Sequence, residues 1–343
     1  MKAIRKLRTG SGFVELNEIP EPIIGSNDVK IKIEAVGICG TDIKILHGDT
    51  WSNPPVTLGH EISGIVSEVG SEVKNIKVGD RVISETAQII CGECYFCKSG
   101  NYLMCKKRLS IGYGTNGGMA EYIVVRKDII HKLPDSIDLD CGALCEPAAV
   151  SVHAVYDSVK ITPTDVVLVT GPGTIGLIVA QIVKSFGATV IMTGLDKDIN
   201  RLNIAVELGI DIIADIEKEN IEEIIAQYTD NRGVDIVFEC TGTQSSINSS
   251  MNILKNMGSL VQIGLAKPHI EIPYNLLTGR EIRLIGTFGH KWESWETAIK
   301  LIAEKKINVG KLITHRYSID DWQEAFSTAE KMDGIKVLIY PNS

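Results

Sequence analysis

A chain of 343 residues exceeds what one hydrophobic core ordinarily fills and fits two domains. With 44% apolar and 23% charged residues, the composition is that of an ordinary globular protein. The formal net charge of −8 argues against nucleic acid or an anionic membrane as the main partner.

The opening MKAIRKLRTG carries basic residues with no apolar stretch behind them, so it does not read as a secretory signal. No apolar run reaches membrane-spanning length. The cytoplasm is the expected address. Residues 1–150 then read as short β-segments separated by glycine turns: VKIKIEAVGI (29–38), ISGIVSEVG (62–70) and GDRVI (79–83). This β-branched, glycine-punctuated texture predicts a compact, mostly β domain.

Near residue 150 the period changes. VVLVT (166–170), TVIMTG (189–194), DIIADI (211–216), DIVFECTG (235–242), SLVQIG (259–264) and IRLIGTF (282–288) are apolar runs of strand length. Helical patterns lie between several of them: LIVAQIVKSFG, NRLNIAVELG and IEEIIAQYTD. Nearly continuous apolar strands alternating with amphipathic helices predict a doubly wound, six-stranded parallel sheet over residues 151–288. From Gly289 the tail reads as helix (WESWETAIKLIAEKK), a second helix beginning at Ser318 (SIDDWQEAFSTAEKM), and a strand (IKVLIY). Residues 289–343 are expected to fold back on the first domain and leave a cleft between the two.

The strand VVLVT runs into Gly171-Pro-Gly173-Thr174-Ile175-Gly176, which opens a helix. Alone, this spacing is weak in a chain with 32 glycines; the strand before it and the apolar helix after it give it meaning. Gly171 permits the tight turn, Gly173 lets the backbone approach a pyrophosphate, and Gly176 lets the helix pack on the strand. The helix N-terminus supplies free N–H groups and positive potential. Asp196 follows Gly176 by twenty residues, where a carboxylate accepts both adenosine ribose hydroxyls. It should repel a 2′-phosphate, since two unit charges about 4 Å apart interact by about 4 kcal/mol at a moderate effective dielectric. Lys197 and Arg201 lie close enough in sequence to soften that repulsion, yet NAD is favoured over NADP.

Eight cysteines in such a chain do not suggest a disulfide scaffold. Cys91, Cys94, Cys97 and Cys105 form C-x2-C-x2-C-x7-C, a set that can close a tetrahedral thiolate shell around a structural Zn²⁺. The short spacings suit disulfides poorly, and the last spacing fits iron–sulfur clusters poorly. A second, dispersed set comprises Cys39 in GICGTD, His60 and Glu61 in LGHE, and Glu146 in LCEPAAV. One thiolate, one imidazole and a carboxylate make a three-ligand zinc site with an open position. Individually, a cysteine or histidine is more often a packing residue.

Taken together, GICGTD, GHE, the four-cysteine lobe, Glu146-Pro147 and GPGTIG resemble the medium-chain zinc dehydrogenases, in particular the polyol (sorbitol) and L-threonine 3-dehydrogenase branch, over essentially the whole chain. The resemblance implies a GroES-like catalytic domain beside a Rossmann domain, and Zn²⁺ ligation by Cys39 and His60. Glu61 is then a ligand or an exchangeable one, and Glu146 meets the metal directly or through water or, as in the threonine enzymes, aids the proton relay. Thr41 falls where family members carry a hydroxyl that takes the substrate proton. The next relay member is normally a histidine at the position of Lys44; this chain departs there, and either water or His47 ends the relay. Cofactor contacts are implied at Thr174, Ile175, Asp196 and Arg201, from Ile263 to Leu265, and at Thr287 and Phe288. The arginine–tyrosine pair that grips the polyol in animal sorbitol dehydrogenases would fall near Gly289 and His290, and is absent.

The expected chemistry is hydride transfer between NAD and a secondary alcohol or polyol, with zinc as Lewis acid. L-Threonine 3-dehydrogenase is the alternative within the branch. A zinc-free quinone or enoyl reductase would lack both zinc sets, and an NAD-binding sensor would have lost a ligand. A homodimer or homotetramer is implied by the resemblance.

Overall fold

The computed structural model describes residues 1–266 and 269–343. The chain divides into two compact units, Met1–Pro147 with Lys291–Ala303 and Val309–Ser343, and Ala148–His290 with Glu304–Asn308.

In the first unit the strand Asp28–Gly37 alternates half-buried side chains with fully buried Val29, Ile31, Ile33 and Ala35. That two-residue period presents one face to the core. The strand pairs antiparallel with Glu61–Val69, Tyr122–Arg126 and Lys336–Tyr340. The full seven-stranded sheet runs Ile313–Ser318, Lys336–Tyr340, Asp28–Gly37, Glu61–Val69, Arg81–Ser84, Ile130–Lys132, with Tyr122–Arg126 branching from Asp28–Gly37. A smaller sheet joins Val14–Glu18, Lys2–Lys6 and Val56–Thr57. Ile31, Ile33, Leu58, Ile62, Val82, Ile111, Met119 and Ile339 fill the core between them. The C-terminal strand is therefore central to this unit.

The second unit is a six-stranded, wholly parallel sheet in the order Ile212–Asp215, Thr189–Gly194, Val166–Thr170, Val234–Glu239, Leu254–Gln262, Arg283–Gly286. This is the doubly wound order with its reversal between Val166–Thr170 and Val234–Glu239. Every side chain of Val166–Thr170 is buried, as a strand covered on both faces requires. The helix Ile221–Thr229 starts where Asn220 Oδ1 accepts from the N–H groups of Glu222 and Glu223, the side-chain cap that orphan N–H donors need.

Three features differ from the expected elements. The fifth strand starts at Leu254, five residues before the apolar run SLVQIG, and carries Met257 at φ 64°. A helix, Gln244–Ile253, forms from the polar segment QSSINSSMNI on a Thr243 cap. In the tail, Ile319–Asp321 is a 3₁₀ turn that precedes the helix Trp322–Lys331. Glu304–Asn308 belongs to the second unit, where Asn308 N–H donates to Gln181 Oε1 at 2.7 Å. Among the described residues no helix is long and apolar enough to cross a membrane.

Phe238 is fully buried on the central strand of the second unit. Phe238→Ala should lower that unit's unfolding free energy by about 3–5 kcal/mol in urea titration, through lost apolar contact plus a cavity. A loss under about 1 kcal/mol would contradict the packing described.

Candidate metal centre and cofactor loop

The strand Asp28–Gly37 delivers Cys39 to the start of the helix Gly40–His47, and His60 directly precedes the strand Glu61–Val69. Antiparallel pairing of Gly37 with Glu61 brings these ends together. Cys39 Sγ, a His60 ring nitrogen and a Glu61 oxygen all lie within 4.8 Å of one another. His60 and Glu61 are buried. His60 Nδ1 is buried without a hydrogen-bond partner, 4.0 Å from Asp42 Oδ1. Asp42, wholly buried, accepts from Cys39 N–H at 2.9 Å and Gly59 N–H at 3.3 Å, which fixes the backbone on both sides of the donor group.

Glu61 is held from below. Lys336 Nζ, itself buried, donates to Glu61 Oε1 at 2.8 Å, Oε2 at 2.6 Å and Ile38 O at 3.1 Å. Both Glu61 oxygens are thus engaged by an ammonium, so this carboxylate sits beside the Cys39–His60 pair as a restrained charge.

The electrostatics follow from burial and crowding. Burial would lower His60, but Cys39, Asp42 and Glu146 together raise it well above its ordinary value. Burial raises Asp42, partly offset by His60 and the Cys39 N–H. Burial pushes Glu146 up to about 7, against the pull of His60. Burial works against the charge on Lys336 too, yet Glu61 and Cys39 raise it above the usual ammonium value. Four acidic side chains, Cys39, Asp42, Glu61 and Glu146, crowd two basic ones, His60 and Lys336. A thiolate, an imidazole and a carboxylate in such a place are the donor set of a zinc site with an open position, and these residues fit that ion.

The structure brings Thr41 to this group: its Oγ1 lies 3.7 Å from Cys39 Sγ. Lys44 is three residues on, along the same helix face. His47 is not brought there. Six residues beyond Thr41, it lies about 9 Å along the axis and on another face, where its Nε2 meets Glu330 Oε1 at 2.6 Å near the surface. Glu146, in the first turn of Cys145–Tyr156, bears on His60 through its charge but is not among the donors gathered within 4.8 Å.

The four-cysteine lobe gathers all its sulfurs within 4.8 Å. Cys94–Cys97, Cys91–Cys105 and Cys91–Cys97 sulfur pairs are separated by 3.5, 3.6 and 3.8 Å. Tetrahedral Zn–S bonds place sulfurs about 3.8 Å apart, so this cage also fits zinc, with no position open. Backbone N–H groups of Cys94 and Glu93 lower the Cys91 thiol to about 6, while burial and the contact with Cys94 push Cys97 up to about 12.

In the second unit Gly171 has φ 85° and donates its N–H to Thr193 O. A Cβ on Gly176 would run into the Gly171 carbonyl, so the helix Thr174–Ser185 packs on the loop only as glycine permits. A Cβ on Gly173 would meet nothing within 4 Å. No protein atom demands that glycine, which suits a backbone left open for an approaching phosphate. Thr174 and Ile175 form the helix's first turn. Asp196 follows the strand Thr189–Gly194 and pairs with Lys218, which also lies 3.3 Å from Asp215. Arg201 turns to Asp198 at 4.0 Å. Ile263 and Leu265, and Thr287 and Phe288, follow the carboxyl ends of Leu254–Gln262 and Arg283–Gly286.

Sequence reasoning passed over Lys336, Asp42, Lys218 and Glu239. A charged residue inside the apolar run IKVLIY was the available signal for Lys336, and an acid ending the apolar run of DIVFECTG was that for Glu239. Asp42 lay within the motif already singled out.

Residues 25–135 match the family described as Alcohol dehydrogenase GroES-like domain, and residues 174–304 that described as Zinc-binding dehydrogenase. The chain is 41% identical to a sorbitol dehydrogenase of Halalkalibacterium halodurans, over 99% of both chains. It is 39% identical to a D-arabitol-phosphate dehydrogenase of Enterococcus avium, over 100% of this chain and 98% of that one. Among solved structures, it is similar to a zinc-binding dehydrogenase from Sinorhizobium meliloti bound to NADP, with TM-score 0.91, 33% identity and 99% coverage of both chains.

Lys336→Met would leave the Glu61 carboxylate buried without its ammonium. The expected cost is about 3–5 kcal/mol in chemical denaturation, and adding Glu61→Gln should recover at least half of it. A loss no larger than the ~0–1 kcal/mol of a surface ion pair would show that the pair is not desolvated.

Proposed function

We infer the chemistry from a fixed premise: this chain belongs to the zinc-dependent medium-chain alcohol and polyol dehydrogenases. It is an oxidoreductase that exchanges hydride between a nicotinamide cofactor and the carbon bearing a hydroxyl. Its substrate we take to be a polyol or secondary alcohol. The observation that carries this reading is the Cys39–His60–Glu61 donor group, half-buried at Cys39 and buried at the other two, with the Thr41 hydroxyl beside it.

Cys39 and His60 would hold the catalytic Zn²⁺, with Glu61 as a restrained neighbour or exchangeable ligand, Glu146 acting through charge or a water, and the four-cysteine lobe holding a structural ion. When bound, the catalytic ion supplies Lewis-acid polarisation of the substrate oxygen and lowers the pKa of the hydroxyl. Thr41 Oγ1 takes the hydroxyl proton and passes it on. An ammonium is a poor shuttle near neutral pH, and His47 is committed to Glu330 at the surface. The relay therefore ends in water, with Lys44 as a neighbouring positive charge. Asp42 keeps Cys39 and His60 in register through the two backbone N–H groups it accepts.

The loop Gly171–Gly176 takes the cofactor pyrophosphate at the N-terminus of Thr174–Ser185. Asp196 takes the adenosine ribose, while Ile263, Leu265, Thr287 and Phe288 flank the nicotinamide half. Lys218 offsets part of the charge on Asp196, but the neighbouring acids Asp215 and Glu217 keep the site hostile to a further phosphate. NAD is the preferred cofactor, with Arg201 held toward Asp198.

The grip pair of the animal sorbitol enzymes is missing at Gly289 and His290, so the reading rests on the polyol class and not on sorbitol itself. Similarity to the arabitol-phosphate enzyme brings sugar-alcohol phosphates into the same panel. For threonine the sequence offers no evident partner for an amino acid's carboxylate. Eight free cysteines support a reducing compartment, the cytoplasm. The edge strand Arg283–Gly286, paired on one side only among the described residues, supports a homodimer or homotetramer.

Cys39→Ser or His60→Ala should abolish turnover, remove one zinc per chain and leave NADH binding within about twofold, since the cofactor loop lies in the other unit. Wild-type rates in either variant would overturn the metal-assisted reading. Asp196→Gly should lower the NAD-to-NADP ratio of kcat/KM at least about tenfold; an unchanged ratio would remove Asp196 from the ribose site. A panel of sugar alcohols, their phosphates, vicinal diols and amino alcohols, followed by NADH absorbance, ranks the substrates. Exclusive turnover of threonine would contradict the polyol assignment.

A further inference from the structure

The strand Val234–Glu239 ends in a carboxylate with 0% exposure. Such a placement is costly unless its acceptor capacity is used. Glu239 Oε1 accepts from Thr241 N–H at 3.0 Å, Ser246 Oγ at 2.9 Å, Thr170 Oγ1 at 3.2 Å and Thr241 Oγ1. Oε2 accepts from Gly242 N–H at 2.8 Å and Gln262 Nε2 at 2.7 Å. The Glu239 main-chain carbonyl accepts from the N–H groups of Ile263 and Gly264, both at 2.9 Å.

These donors sit at the carboxyl ends of three neighbouring strands, Val166–Thr170, Val234–Glu239 and Leu254–Gln262, and on the first turn of Gln244–Ile253. The strand order reverses at this place, and open parallel sheets take their ligands outside such a point. The loop that Glu239 ties down touches the glycine loop as well: a Cβ on Gly171 would lie 2.8 Å from Thr241 Cγ2. Gly242, at φ 70°, backs onto the Leu265 carbonyl, where a Cβ would come within 2.7 Å.

We propose that Glu239 is a positioning residue for the nicotinamide half of the dinucleotide: its carboxylate joins three strand ends and holds the Cys240–Thr243 and Ile263–Leu265 loops in their cofactor-accepting shape. This rests on the reading of the second unit as the dinucleotide-binding one. Glu239 touches no reacting atom; it acts through the loops it fixes. A carboxylate is the group that fits, because it accepts on both oxygens. In Glu239→Gln the amide NH₂ must stand where one oxygen stood. The Oε1 side faces the Thr241 N–H, and the Oε2 side faces the Gly242 N–H and the Gln262 amide, which also donates to Gly264 O at 2.8 Å. Either orientation sets donor against donor.

Isothermal titration calorimetry of NADH and of AMP on the zinc-loaded protein separates the two halves of the site, because AMP reports the adenosine side at Asp196. Glu239→Gln is expected to weaken NADH at least about tenfold while AMP stays within about threefold. Ser246→Ala, which removes one donor without opposing another, is expected to weaken NADH about threefold and leave AMP unchanged. In turnover, KM for NAD should rise with little change in KM for the alcohol. Unchanged NADH affinity in Glu239→Gln, or equal losses of NADH and AMP, overturns the assignment. Should that variant fail to fold, unchanged NADH affinity in Ser246→Ala overturns it instead. Wild-type protein that binds no NADH overturns the cofactor reading itself, which distinguishes that failure from one confined to Glu239.

Discussion

A buried ammonium organises the first unit. Taking Lys336 and Glu61 out of water costs several kcal/mol per ion, repaid only when geometry and hydrogen bonds are good. Here they are: one Nζ engages both Glu61 oxygens and the Ile38 carbonyl. The pair joins positions 275 residues apart and ties the last strand of the chain to the strand ends that carry Cys39 and His60. Even the neighbouring glycine obeys it, since a Cβ on Gly37 would run into the Glu61 carboxylate. The candidate metal donors are therefore held by sheet pairing and one desolvated ion pair, which is the preorganisation a reactive centre needs.

The second unit meets a similar demand by other means. Glu239 is as buried as Glu61, but its neighbours are N–H and O–H donors from three strand ends. Parallel strands leave their carboxyl ends as a row of loops, and a parallel sheet offers no cross-strand hairpin to brace them. A buried acceptor shared among those loops supplies the brace. In each unit one acid thus converts a set of loop ends into a surface of fixed shape.

Much of this was legible in the sequence because it is written in local pattern. β-Branched runs marked the parallel strands, and the doubly wound sheet follows from their alternation with helices. Four cysteines within fifteen residues announced their cage by spacing alone. What escaped was non-local or polar. The helix Gln244–Ile253 has little apolar periodicity and is held by its cap and its packing on the sheet. The start of Leu254–Gln262 is hidden by Lys255, Asn256 and Gly258, residues of low β-propensity. Lys336 and Glu239 gain their meaning from partners that only the folded chain assembles. His47 looked available to the relay on sequence proximity, but helical phase turns it toward Glu330, and no neighbouring residue announces that rotation.

The central claim is that Cys39 and His60 bind a zinc ion distinct from the one in the four-cysteine lobe. Zinc K-edge X-ray absorption on purified, metal-replete protein addresses it directly. Two ions per chain, one in an all-sulfur shell and one with mixed ligands, predict an average of about 2.5 sulfurs at ~2.3 Å, with nitrogen or oxygen neighbours at ~2.0–2.1 Å. A spectrum with one zinc per chain and sulfur neighbours alone would contradict the account.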